Sequence, residues 1–179
     1  VKSLVAMKRS MTLLVSSLVY LALSAQSQVF INKAWVQTNG LPDAQHAASS
    51  VVDSERNLIV VGNTLLGPGN TDVYTTKYDP EGNVLWSMTL AGTANGLDHG
   101  VAVVVDAADN VIVVGAVSNT GSNYDVVLVK YAASGSQEWS AIWDGADGMD
   151  DLPGGVALDA TGNVIVVGAT QTVDEDRNM

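Results

Sequence analysis

Asp-Ala-Thr-Gly-Asn-Val-Ile-Val-Val-Gly, residues 159–168, places a strand end, a tight turn and an apolar strand in ten positions. The same frame occurs as Asp-Ala-Ala-Asp-Asn-Val-Ile-Val-Val-Gly at 106–115 and as Asp-Ser-Glu-Arg-Asn-Leu-Ile-Val-Val-Gly at 53–62. Asp53, Asp106 and Asp159 are 53 residues apart, and so are Gly62, Gly115 and Gly168. A fixed long period marks a repeat architecture, in which one unit cannot bury its own apolar surface and needs a neighbour.

Working outward from the frame, each unit reads as four short strands joined by turns, with no helical period. The first unit gives strands at Ser50–Asp53, Leu58–Gly62, Asp72–Tyr78 and Val84–Leu90. Asn39–Ser49 and the Gly/Pro-rich Asn63–Asn70 read as loops, and Asp79–Asn83 as a turn. The second unit gives Gly100–Asp106, Val111–Val117, Tyr124–Tyr131 and Gln137–Trp143, and the third gives Gly154–Asp159 and Val164–Ala169. An earlier strand, Val29–Thr38, carries Trp35. Val111–Val114 and Val164–Val167 are apolar on both strand faces, so both strands are expected between covering layers. Four-stranded antiparallel sheets of about fifty residues, stacked face to face, describe β-propeller blades. The expected fold is therefore all-β, an incomplete propeller over 28–179 with repeats at about 34–85, 86–138 and 139–179. Trp35, Trp86 and Trp139 recur on the last strand of each unit, which places them in the framework or at a seam between blades. In a closed ring, the leading Trp35 strand would complete the final blade.

Residues 1–27 read as a secretory signal, with its helix. Lys8 and Arg9 precede the apolar run Met11–Ala25, and Ala25-Gln26-Ser27 supplies small residues for cleavage. The run is short for a membrane span, so no stable span is expected after cleavage. Val1 is an unusual first residue, and Met7 is a plausible true start. The chain has 179 residues and a net charge of −11, which becomes about −14 without Lys2, Lys8 and Arg9. Such a surface repels phosphate backbones and excludes nucleic-acid binding. There are no cysteines, which excludes disulfides, thiolate metal sites and a lipid-anchored lipoprotein.

The pattern resembles the SBBP-type β-propeller repeat of secreted bacterial proteins. The matching residues are Val101–Asp106 with Asn110–Gly115, Asp125–Tyr131, Gly135 and Trp139, and in the first unit Asp72, Lys77-Tyr78, Gly82-Asn83 and Trp86. The third unit matches from Trp139 to Gly168, and the whole likeness covers nearly all of 34–169. The resemblance implies a non-catalytic extracellular module and brings no catalytic residues. The third unit departs from the pattern after Ala169, where an Asp-x-x-Leu-Val-Lys-Tyr strand is due. Two and a half units do not close a ring. The expectation is a fragment, an early-terminated product, or a chain that pairs with other copies.

Residues able to carry chemistry are few. His46 and His99 occupy equivalent positions in expected loops, where the third unit has Leu152, and read as tolerated substitutions rather than a metal pair or a base beside Asp98. Asp144, Asp147, Asp150 and Asp151 crowd one loop, read as a solvated acidic segment with Ca²⁺ binding as the alternative. Asp53, Asp106 and Asp159, with Asn57, Asn110 and Asn163, read as turn formers, because a turn is needed in every unit and a catalytic group only once. Asp72, Asp125, Lys77 and Lys130 read as structural. No Gly-x-Ser-x-Gly, His-Glu-x-x-His or phosphate-cradling Gly loop is present. The expected function is a non-enzymatic, secreted structural or interaction module with a protein or glycan partner. No catalytic, cofactor-binding or metal residue is assigned. The alternative is a carbohydrate- or Ca²⁺-binding surface protein, and an enzyme would need acids or histidines converging from several blades.

Overall fold

The computed structural model describes residues 45–119, 123–145 and 148–172. All of them lie in the compact unit Trp35–Met179. The signal segment and its helix, the Val29–Thr38 strand, Trp35, Asp147 and residues 173–179 lie outside the described residues.

Among the described residues there is no helix, and ten antiparallel strands form sheets of four, four and two. The first sheet is β1 (Gln45–Val52), β2 (Leu58–Gly67), β3 (Asn70–Tyr78) and β4 (Val84–Leu90), in chain order. The second is β5 (His99–Val105), β6 (Val111–Ser118), β7 (Tyr124–Tyr131) and β8 (Gln137–Trp143). The third pairs β9 (Asp151–Leu158) with β10 (Val164–Thr170). None of the sheets closes on itself. β5 lies against β1, β2 and β3, and β9 lies against β5, β6 and β7, so the sheets stack in the order of the chain.

The stack follows from the apolar runs. All eight residues of β6 are buried. Val111, Val113 and Val117 join Val127, Val129 and Tyr131 in one core with Ile59, Val61 and Val73 of the first sheet. Val114 pairs with Leu128 and Ala116 with Val126, and cross-strand partners share a face. Val126 and Leu128 line a groove of about 270 Å³ with Leu152 and Val166 of the third sheet. One face of β6 is thus covered by the first sheet and the other faces the third.

Two expectations change at this level. β10 repeats the sequence of β6, yet Ile165 is 49% and Val167 62% exposed. Its inward residues Val164 and Val166 are partly covered, but among the described residues no sheet covers its outer side. An apolar strand is buried on both faces only where a neighbour stands on each. The loops are also shorter than expected. Residues 45–49 belong to β1, held by pairing of His46 with Asn63 and Ala47 with Gly62. Asn63–Asn70 is mostly strand, because Gly67 pairs with Asn70 across a two-residue turn at Pro68-Gly69, with Gly69 at φ +74°.

The recurring glycine has a steric cause. A Cβ on Gly62, Gly115 or Gly168 would stand 1.8, 2.6 or 2.4 Å from the carbonyl oxygen of His46, His99 or Leu152. Each contact lies beside a bulge on the partner strand, between Ala47 and Ser49, Gly100 and Ala102, and Gly155 and Pro153. The bulge turns a carbonyl onto the opposite backbone, and only glycine leaves room. Replacing Gly115 by Ala is therefore expected to cost about 1–3 kcal/mol by overpacking. Gly67, with nothing within 4 Å of its missing Cβ, should tolerate Ala within about 0.5 kcal/mol. Urea midpoints of the two variants check this contrast.

Candidate functional site

The repeated acids are parts of a five-residue turn. Asp53 Oδ1 accepts the N–H groups of Glu55 and Asn57, and its Oδ2 accepts the Asn57 side-chain amide. Asp106 with Ala108 and Asn110, and Asp159 with Thr161 and Asn163, make the same set. The backbone closes with the N–H of the aspartate donating to the asparagine carbonyl. The fourth residue takes a left-handed conformation: Arg56 at φ 69°, Asp109 at 60° and Gly162 at 85°. Asp79–Asn83 uses the identical frame in the β3–β4 turn, with Gly82 at φ 91°. Its pattern Asp-x-x-Gly-Asn matches 159–163 letter for letter, a signal that groups it with the others.

Two of these aspartates also hold a lysine. Lys77 Nζ lies 2.8 Å from Asp53 Oδ2, with both side chains buried, and donates to the Ala133 carbonyl of the second sheet's outer turn. Lys130 lies 3.0 Å from Asp106 and 3.4 Å from Glu138 at a more open site. Burial pushes the Asp53 carboxyl up, but the hydrogen bonds from Lys77 and Asn57 outweigh it and hold it below the usual range. At Asp106 burial is likewise overcome by Asn110 and Lys130, and the carboxyl is held at about 2. Thr161 and Asn163 hold Asp159 well below the usual carboxylate range.

The histidines are strand residues, which corrects their placement in loops. His46 lies in β1 opposite Asn63, and His99 opens β5 opposite Ala116. At both positions the backbone carbonyl presses on the recurring glycine, a role that Leu152 fills equally well. Asp98 is not oriented toward a histidine base. Its Oδ1 accepts the Ser118 N–H and hydroxyl, and its Oδ2 accepts the Gly92 N–H.

The acidic loop is divided. Asp150 Oδ1 accepts the Tyr124 N–H, whereas Asp144 and Asp151 meet Asp125 of β7, with one oxygen of each within 4.8 Å of the others. Asp125 and Asp151 are buried and Asp144 is exposed. Burial raises the Asp125 carboxyl, and Asp144 and Asp151 raise it further, against a lowering by Asn119. Asp72, the first-unit counterpart of Asp125, is raised by burial and by Asp98. The loop composition pointed to Asp144 and Asp151, but Asp125 was missed as their partner. Its signal was the period itself, since Asp72 and Asp98 stand 53 residues before Asp125 and Asp151.

Trp86 sits on the outer turn of the second sheet. Its Nε1 donates to the Ala133 carbonyl at 3.1 Å, its ring lies 5.8 Å from that of Tyr131, and a Cβ on Gly135 would stand 2.7 Å from it. Trp139 occupies the equivalent position in the second unit and is 38% exposed.

Compared with the models of known protein families the chain matches none, and the curated proteins offer no match to it.

Removing the Lys77 ammonium leaves a buried carboxylate without its counter-charge, so Lys77→Met should cost about 3 kcal/mol. Lys130→Met, at the more open pair, should cost about 1 kcal/mol or less. Denaturant unfolding at neutral pH measures both. The depressed carboxyls set the acid limit. A carboxyl held below its unfolded value stabilises the fold above that value, and the contribution is lost as pH falls through the folded pKa. Stability should therefore decline from about pH 4 toward pH 2. Asp106→Asn should flatten that decline, read from urea midpoints across the range.

Proposed function

We propose that the chain is a non-enzymatic β-propeller repeat module, exported by its N-terminal signal, that serves as an extracellular structural or interaction scaffold. The observation that carries this reading is the seam at Trp86. The first unit carries Trp86 on its last strand, and the glycine turn of the second unit receives it. Trp86 meets Gly135 in this way, and Trp139 presents the same side chain outward. Units built to receive one neighbour and offer themselves to the next are the elements of a stacked ring.

The recurring polar residues support a scaffold rather than a catalyst. Asp53, Asp106 and Asp159 are consumed by their turns, Lys77 and Lys130 by those aspartates, and Asp98 by three hydrogen-bond donors. Groups so engaged do not present a free base or nucleophile to a substrate. The resemblance to SBBP-type repeats fits the same reading. A second reading, a carbohydrate-binding surface protein, draws on the exposed rings of Trp139 and Trp143 on β8, since sugars stack on such rings.

The seam is tested by truncating each tryptophan in turn. Trp86→Ala should lower stability by about 2–3 kcal/mol, whereas Trp139→Ala should change it by less than about 1 kcal/mol. Equal effects would remove the receiving-turn argument. A glycan array probed with the exported chain separates the two readings. The scaffold reading expects no signal, and a signal lost in Trp139→Ala would favour the carbohydrate reading.

A further inference from the structure

We propose that Asp125, Asp144 and Asp151 form a divalent-cation site, suited to Ca²⁺, that ties the second sheet to the third. The three carboxylates come from different segments: β7, the β8–β9 connection and the first residue of β9. Their oxygens lie within 4.8 Å of one another. Oxygens bound to one Ca²⁺ at about 2.4 Å stand up to about 4.8 Å apart, so a single ion can reach all three. Among the described residues this is the one group of three that meets that distance.

The second observation is independent of the cluster. Asp151 is fully buried, and its Oδ1 has no hydrogen-bond partner. Its Oδ2 accepts the Gly145 N–H at 2.5 Å. A buried carboxylate oxygen without a donor is costly and calls for a cation or a proton. The first seam shows what a seam without a cation looks like. There the counterpart Asp98 has both oxygens satisfied, Oδ1 by the Ser118 N–H and hydroxyl and Oδ2 by the Gly92 N–H. Ser118 is replaced at the second seam by Gln171, whose N–H goes instead to the Asp150 carbonyl. Ala91 stands in the first unit where the second has Asp144. Both changes act in one direction: a donor is removed and an acid is added.

Gly145 keeps the place open. A Cβ there would stand 2.9 Å from Asp151 Oδ1 and 2.9 Å from Thr170 Oγ1. The Asn119 and Asn123 side-chain amides donate to the two oxygens of Asp125, which fixes that carboxylate and leaves it further lone pairs. The donor set is all oxygen and carries up to three negative charges, which selects a hard cation. Mg²⁺ demands near-ideal octahedral geometry at about 2.0–2.1 Å, and so fits this spacing less well than Ca²⁺. The assignment stands on these three carboxylates and does not rest on the scaffold reading above.

The test is calorimetric titration of the full chain with CaCl₂, paired with thermal unfolding in its presence and absence. One Ca²⁺ is expected to bind with an affinity of about 10⁻⁴–10⁻³ M, as in extracellular modules, and to raise the unfolding temperature. Asp144→Asn removes one of the repelling charges on an exposed side chain, so the cation-free unfolding temperature should equal or slightly exceed the parent's while Ca²⁺ binding weakens about tenfold or more. Glu81→Gln, an exposed acid outside the cluster, should leave binding as it was. Mg²⁺ should bind about tenfold more weakly. No heat and no thermal shift at about 10 mM Ca²⁺ would overturn the proposal. So would an Asp144→Asn variant that binds like the parent, or equal responses to Ca²⁺ and Mg²⁺, because either places binding on the diffuse acidic surface.

Discussion

A four-stranded sheet with apolar side chains on both faces cannot hide both of them alone. Everything else in this chain follows from that constraint. β6 is the extreme case: eight consecutive buried residues, one alternating set against the first sheet and the other toward the third. Burying a valine or isoleucine side chain contributes about 1.5–3 kcal/mol, so the shared faces dominate the stability of the stack. β10 has nearly the same sequence and a different environment, with Ile165 and Val167 half or more exposed. Burial here belongs to a strand's neighbours as much as to its residues.

The polar residues serve the same constraint from the edges. A stack of short strands needs many tight turns, and each turn must satisfy its own backbone. The Asp-x-x-x-Asn frame does this with one carboxylate, which accepts two N–H groups and an amide. Its Lys77 or Lys130 partner then ties the β1–β2 or β5–β6 turn to β3 or β7. At the β7–β8 turn Trp86 and Lys77 both donate to Ala133, so one carbonyl receives two ties from the preceding sheet. At the other end of the strands Asp98 closes the first seam with protein donors, whereas Asp151 leaves an oxygen open at the second. The two seams thus share a plan and differ in what completes it.

Much of this was legible in the residues. β4, β7 and β8 begin and end at the residues expected from the turns and the repeat, and the turns at Asp53, Asp106 and Asp159 follow from the period. The β2–β3 connection was not legible in the same way. Gly67-Pro68-Gly69-Asn70 has the composition of a loop, and only its pairing partners draw the flanking polar residues into strands. Polar Gln45–Ser49 likewise becomes strand by pairing with β2 across a bulge. The acidic cluster was half legible. Asp144 and Asp151 are close in sequence, while Asp125 reaches them through the stacking of sheets, which local composition does not report. The exposure of β10 was hidden for the same reason, because a strand's pattern does not say whether a covering layer follows.

Native-state amide hydrogen exchange, resolved strand by strand, tests the central claim most directly. If neighbouring sheets supply the stability, the amides of β6 exchange slowest and only with global unfolding. Those of β2 and β3 follow, and those of β9 and β10 exchange fastest although Val164–Val167 and Val111–Val114 are identical in sequence. Equal protection of β10 and β6 would contradict the account, since it would place the stability in the strand sequence rather than in the layers that cover it.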